Sequence, residues 1–118
     1  MEVVVTLEIR TQRNDNLNII RLNGRLDNSA YEQTKREILD RMDNHENFII
    51  DMSHCNYISN YGLYLLSIIS NKAKLLNIKA IFVSIMGKIS EIFLLTGFIH
   101  TIELAPTVED AIKEYALN

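Results

Sequence analysis

The chain has 118 residues, with 12 Lys and Arg against 15 Asp and Glu for a formal net charge of -3. A chain this long buries roughly two-thirds of the surface it exposes when unfolded. With 47% hydrophobic and 23% charged residues, the composition is that of one packed globular domain spanning residues 1–118, and intrinsic disorder is excluded. Near-balanced charge with no Lys/Arg block gives no electrostatic footprint for nucleic acid. Cys55 is the single cysteine, so no intrachain disulfide is available, and Met1-Glu2-Val3 lacks the basic start and apolar core of a signal peptide. A reduced, cytoplasmic setting is expected.

Residues Val3 to Ile9 are rich in β-branched and apolar types, and Leu17 to Leu22 follow the polar turn Arg13-Asn14-Asp15-Asn16. This predicts a hairpin. Ser29 and Glu32 have capping-box spacing, and Tyr31, Thr34, Ile38 and Met42 recur at helical intervals, giving an amphipathic helix that ends near Asn44. Phe48 to Met52 is a short apolar run without alternation, as expected of a strand covered on both faces. A polar loop from Ser53 to Ser59 leads into a helix over Tyr61 to Asn77, buried at its start and exposed at its end. Met52 to Asn71 carries no charged side chain, but its serines, asparagines and His54 argue for a buried helix and its loop rather than a membrane span.

Lys79 to Ser84 predicts another strand, and Lys88 to Thr96 a short helix that presents Ile89, Ile92 and Phe93 and stops at Gly97. Ile99 to Leu104 reads as a fifth strand. After Pro106, Thr107 is the expected N-cap of a last helix carrying Val108, Ala111, Ile112 and Tyr115. The order β-β-α-β-α-β-α-β-α predicts an α/β domain: a mixed, mostly parallel five-stranded sheet with four helices. In such folds the functional edge lies beyond the carboxyl ends of the strands, which directs attention to the loop after Asp51.

The four glycines are too far apart to cradle a phosphate. His54 and Cys55 are adjacent, which is neither a metal-ligand spacing nor a nucleophile-base pair, so no metal, cofactor or catalytic residue is expected. Asp51 suggests the phosphoacceptor of a receiver domain, but a hairpin opens the chain where receivers have a strand followed by a helix. Its simpler role is to bond backbone in the following turn. The segment Asn56-Tyr57-Ile58-Ser59-Asn60-Tyr61-Gly62-Leu63 sets small polar side chains at a helix N-terminus, where free N–H groups favour an anion. Ser59 or Asn60 serves there as the N-cap. Tyr61 and Tyr64 are aromatic anchors if exposed, and Tyr61 is alternatively core.

Three segments together carry a resemblance: Leu22-Asn23-Gly24-Arg25-Leu26-Asp27, Ile49-Ile50-Asp51-Met52-Ser53, and Tyr57-Ile58-Ser59-Asn60-Tyr61-Gly62-Leu63. With Leu94-Leu95-Thr96-Gly97-Phe98 they resemble the STAS domain family of anti-sigma factor antagonists over essentially the whole chain. The resemblance implies a non-enzymatic partner switch. The antagonist binds an anti-sigma factor that is also a serine kinase, freeing a sigma factor; phosphorylation of a serine opening the second helix abolishes binding, and a serine phosphatase restores it.

The family pattern there is an apolar residue, Asp, Ser, Ser or Thr, Gly, against Ile58, Ser59, Asn60, Tyr61, Gly62 in this chain. Asn60 thus stands at the acceptor position. Either Ser59 accepts the phosphate one residue early, or the chain binds its partner constitutively or serves as a scaffold module in a signalling assembly. The resemblance places the partner-binding turn at Asp27, Ser59, Asn60, Tyr61 and Gly62.

Overall fold

The computed structural model describes residues 6–116. Strands β1 (Leu7–Asn14) and β2 (Leu17–Leu26) form the hairpin, β3 (Asn47–Ile58), β4 (Ala80–Val83) and β5 (Glu103–Ala105) follow, and the sheet order is the chain order. β1 and β2 are antiparallel, whereas each later strand is parallel to its neighbour. The helices are α1 (31–42), α2 (Asn60–Leu76), α3 (Gly87–Leu95) and α4 (Val108–Ala116). This is the α/β order expected from the sequence.

Right-handed crossovers that always step in the same direction place their helices on one face of the sheet. The main core accordingly joins Ile20, Leu22, Phe48, Ile50 and Phe82 to Ile38 and Met42 of α1, Leu65 and Ile69 of α2, and Ile89 and Phe93 of α3. The opposite face carries a small core in which Ile19, Ile49, Ile81 and Val83 meet Ala111 of α4. Thr107 caps α4, its Oγ1 accepting from the Asp110 N–H at 3.1 Å. Tyr115 fastens the helix, donating from its hydroxyl to the Phe48 carbonyl at 2.5 Å.

Several boundaries differ from expectation. The hairpin turn tightens to Asp15-Asn16, with Asp15 at φ 53, because β1 is an edge strand in which Gln12, Arg13 and Asn14 can pair with β2 and still reach solvent. Val3 to Val5 of the predicted first strand lie outside the described residues. Asp27, not Ser29, opens the first helical segment: its Oδ1 accepts from the Ser29 N–H at 2.9 Å and caps a 3-10 turn, Asn28–Ala30. The buried stripe of α1 therefore starts at Ala30 and continues through Thr34, Ile38 and Met42, leaving Tyr31 exposed; the middle of the helix, Lys35–Leu39, winds as a π-helix.

The largest correction is the predicted loop from Ser53 to Ser59, most of which is strand. Here β3 stays paired with a longer β2, His54 beside Asn23, Tyr57 beside Arg25 and Ile58 beside Leu26, through two register shifts. Cys55 and Ile58 enter the core while His54, Asn56 and Tyr57 stay in solvent. The predicted fifth strand shortens for the opposite reason. After Gly97 (φ 74), Phe98–His100 turns back as a 3-10 helix, with the Phe98 ring packed edge-on against Phe93 at 5.0 Å.

The end of β2 and the start of α2 meet backbone to backbone. A Cβ placed on Gly62 would lie 2.2 Å from the Leu26 carbonyl oxygen. Gly62→Ala is expected to cost about 1–3 kcal/mol by overpacking, read as a lower urea midpoint. Tyr115→Phe should cost about 0.5–1.5 kcal/mol for the lost hydrogen bond. Burial pushes the Tyr115 hydroxyl well above its ordinary pKa. Its share of stability is therefore fully present below the unfolded tyrosine pKa, about 10, and is lost as pH rises through the folded value. Urea titrations of the two proteins from neutral to strongly alkaline pH should show their difference shrink in that window.

Candidate functional site

β2 and β3 run on as a two-stranded ribbon past the end of β4, which meets β3 only along Phe48 to Asp51. The ribbon closes where the Ser59 N–H donates to the Leu26 carbonyl at 3.1 Å. Ser59 is extended (φ -89, ψ 172) and turns the chain into α2. Its Oγ accepts from the Gly62 N–H at 3.0 Å and its carbonyl accepts from the Leu63 N–H at 3.0 Å. Of the two residues that the sequence offered as cap, Ser59 takes the role. Asn60 is the first helical residue and is exposed, and among the described residues its side chain makes no hydrogen bond.

Asp27 arrives at the same corner because it follows Leu26. Its carboxylate accepts from both the N–H and the hydroxyl of Ser29, at 2.9 and 2.6 Å, and these bonds hold it below the usual carboxylate range. Arg25 Nε lies 3.8 Å away. The Arg25 guanidinium also stacks on the exposed Tyr57 ring, 3.8 Å from its centroid. On the helix side Tyr61 and Tyr64 are both exposed, 37% and 57%, with ring centroids 5.8 Å apart. Tyr61 is thus a surface residue and not core.

Beyond Tyr64 a groove of about 320 Å³ runs between α2 and the end of α3, lined by Leu63, Tyr64, Ser67, Thr96, Gly97 and Phe98. Leu94 and Leu95 of α3 are also exposed, 60% and 86%. The sequence reading missed this groove and the Arg25–Tyr57 stack. The sequence held a signal for the exposed leucines but none for the groove: Leu94 and Leu95 fall out of phase with Ile89 and Phe93, the buried residues of α3.

Other candidates lie elsewhere. Asp51 is buried on the sheet, its Oδ1 accepting from the Ser53 N–H at 2.9 Å and its Oδ2 lying 3.6 Å from Arg21 Nε. It faces a cation, and its backbone bond is the one expected of it. His54 is exposed while Cys55 is buried, its thiol pushed up by desolvation, so the neighbours point to opposite sides of the strand. Among the described residues no three His, Cys, Asp or Glu side chains cluster as metal ligands, and no helix is long and apolar enough to cross a membrane.

The corner at Leu26 thus brings Asp27, Ser59, Asn60, Tyr61 and Gly62 to one place, as an exposed backbone-built turn without a convergent acid, base and nucleophile. The same architecture occurs in solved structures. A candidate anti-sigma factor antagonist from Thermotoga maritima is 18% identical, covering 90% of this chain and 92% of that one, with a TM-score of 0.81. An anti-sigma factor antagonist from Mycobacterium paratuberculosis is 20% identical over 92% of each chain, with a TM-score of 0.76. The Bacillus cell fate determinant SpoIIAA in its phosphorylated form is 19% identical over 92% of this chain and 99% of that one, with a TM-score of 0.71. At these identities the likeness shows the fold alone. No curated protein matches the chain. The family model described as STAS domain matches residues 8–111, and the chain belongs to the STAS domain family.

Proposed function

We propose that the chain is a non-enzymatic anti-sigma factor antagonist acting in the cytoplasm, which binds an anti-sigma factor serine kinase through the N-terminal turn of α2 and so releases a sigma factor. The observation that carries this reading is the exposed surface at that turn. Asn60, Tyr61 and Tyr64 stand outward on the first turns of α2, and the apolar groove beside α3 continues from them. Exposed aromatic residues beside an apolar groove are the anchors from which protein interfaces draw most of their energy.

Regulation follows from two neighbouring residues. Asn60, at the position of the family's acceptor, has no hydroxyl to phosphorylate. Ser59 has one, but it is engaged as the helix cap to Gly62. The reading favoured here is constitutive binding, with Asn60 a neutral exposed contact. In the alternative, the kinase transfers the γ-phosphoryl of ATP to Ser59 Oγ, releasing ADP and the hydroxyl proton, and a serine phosphatase reverses the step.

Affinity capture from a lysate of the source organism should recover a small serine kinase with the native chain. Asn60→Asp should lower that recovery about tenfold or more, since each 1.4 kcal/mol of unpaired-charge desolvation in the interface is tenfold in affinity. Equal recovery by both chains, or none, would remove this docking turn from the reading. Incubation of the native chain with the captured kinase and ATP should leave Ser59 unmodified in mass spectra. A phosphate at Ser59, absent in Ser59→Ala, would replace constitutive binding with the switch.

A further inference from the structure

The sheet has two edges, and they differ. β5 is three residues long whereas β1 has eight. Along β1 the even-numbered residues turn their backbone groups toward β2: the Thr6 carbonyl accepts from the Arg25 N–H at 2.9 Å, and the two-residue turn makes Asn14 and Leu17 the closing pair. The odd-numbered residues therefore face outward. At Leu7 the outward carbonyl is already taken, because Gln33 Nε2 donates to it at 3.0 Å. Among the described residues no strand pairs with the rest of this edge, so the N–H and C=O groups of Ile9, Thr11 and Arg13 are open.

Charged side chains ordinarily keep such an edge from pairing. Here they are tied back within the same copy: Arg10 Nε donates to Glu8 at 2.6 Å, and Arg13 makes a two-pronged contact with Glu46. At the centre of the open run, the Thr11 hydroxyl is buried without a hydrogen-bond partner.

We propose that β1 is a self-association edge, on which a second copy of this chain pairs antiparallel about a two-fold axis through Thr11. In this register Thr11 lies opposite the second copy's Thr11, and Ile9 opposite its Arg13, so the open N–H and C=O groups of Ile9, Thr11 and Arg13 on both edges are used. Arg10 falls opposite Gln12 and Glu8 opposite Asn14, so no like charges stand directly opposed. The other symmetric registers are poorer. An axis at Arg10 sets two arginines face to face, an axis at Ile9 directs Thr11 to the carbonyl that Gln33 already holds, and an axis at Gln12 leaves Ile9 unpaired. The threonine hydroxyls on the axis, turned by rotation about χ1, are placed to bond one another as cross-strand threonines do. This self-complementarity selects a second copy over an unrelated strand.

Sedimentation equilibrium of the full chain over a concentration series should show a reversible monomer–dimer equilibrium. Thr11→Pro removes an outward N–H that the β2 ladder does not use, an edge position where proline is tolerated. It should leave the circular dichroism spectrum intact and weaken dimerisation about tenfold or more. Thr11→Cys should be trapped by mild oxidation as a disulfide dimer, since hydrogen-bonded antiparallel partners lie about 5.5 Å apart at Cα, within disulfide range. Gln12→Cys, off the axis, should be trapped far less, and this pair decides the matter if Thr11→Pro fails to fold. A chain that stays monomeric at every concentration, a dimer that folded Thr11→Pro leaves intact, or preferential trapping of Gln12→Cys would each overturn the proposal.

Discussion

One backbone oxygen organises the end of this molecule that holds the candidate turn. The Leu26 carbonyl accepts the Ser59 N–H and at the same time lies against the α-carbon of Gly62, so the last residue of β2 fixes both where β3 stops and how closely α2 begins. Main-chain atoms and the absence of a Cβ set that geometry, with the Ser59 hydroxyl added as cap. The identities of Asn60 and Tyr61 are consequently free to vary without moving the turn. That is why the corner keeps its backbone geometry whichever side chains stand at positions 60 and 61.

The topology decides which surfaces remain open. Because the strands follow one another across the sheet in chain order, α1, α2 and α3 pack on one face, and nine-residue α4 is left to cover the other over Ile19, Ile49, Ile81 and Val83. The rest of that second face, on β1, β2 and the extension of β3, carries Arg10, Arg21, Arg25, His54 and Tyr57. These polar residues look like loop composition in one dimension, but they are the solvent side of a sheet. Lys72 secures the packed face differently: its ammonium donates to the Leu39 carbonyl at 2.8 Å and lies 3.0 Å from Asp43, tying α2 to the end of α1.

These arrangements explain what the sequence could and could not reveal. Element order was legible because each helix carries an apolar stripe and the central strands Phe48 to Met52 and Ala80 to Val83 are unbroken apolar runs. The cap at Thr107 and the stop at Gly97 were legible because each is local chemistry. The extension of β3 was not, since its pairing depends on β2 continuing to Leu26 and on two bulges that only the three-dimensional register reveals. Capping by Asp27 was hidden by the equally good local signal at Ser29. At the candidate turn the sequence left the cap open between two adjacent polar residues, either of which can cap a helix, and only the extended backbone of Ser59 assigns the cap to it and leaves Asn60 outside.

That assignment lets the effect of charge on folding be separated from its effect on the proposed docking at the turn. α2 has no acidic residue in its first turn, in contrast to Glu109 and Asp110 in α4. An added negative charge at Asn60 or on Ser59 would sit near exposed N–H groups that favour an anion by about 0.3–1 kcal/mol, and the fold has no reason to lose stability from it. A partner docked over the same turn, as proposed, would meet the opposite situation, because it would have to strip water from that charge. The two effects carry opposite signs at one site. Loss of partner binding on charging this turn, with unfolding midpoints unchanged or slightly raised, is therefore the signature of a docking surface, whereas a merely structural cap would move both together.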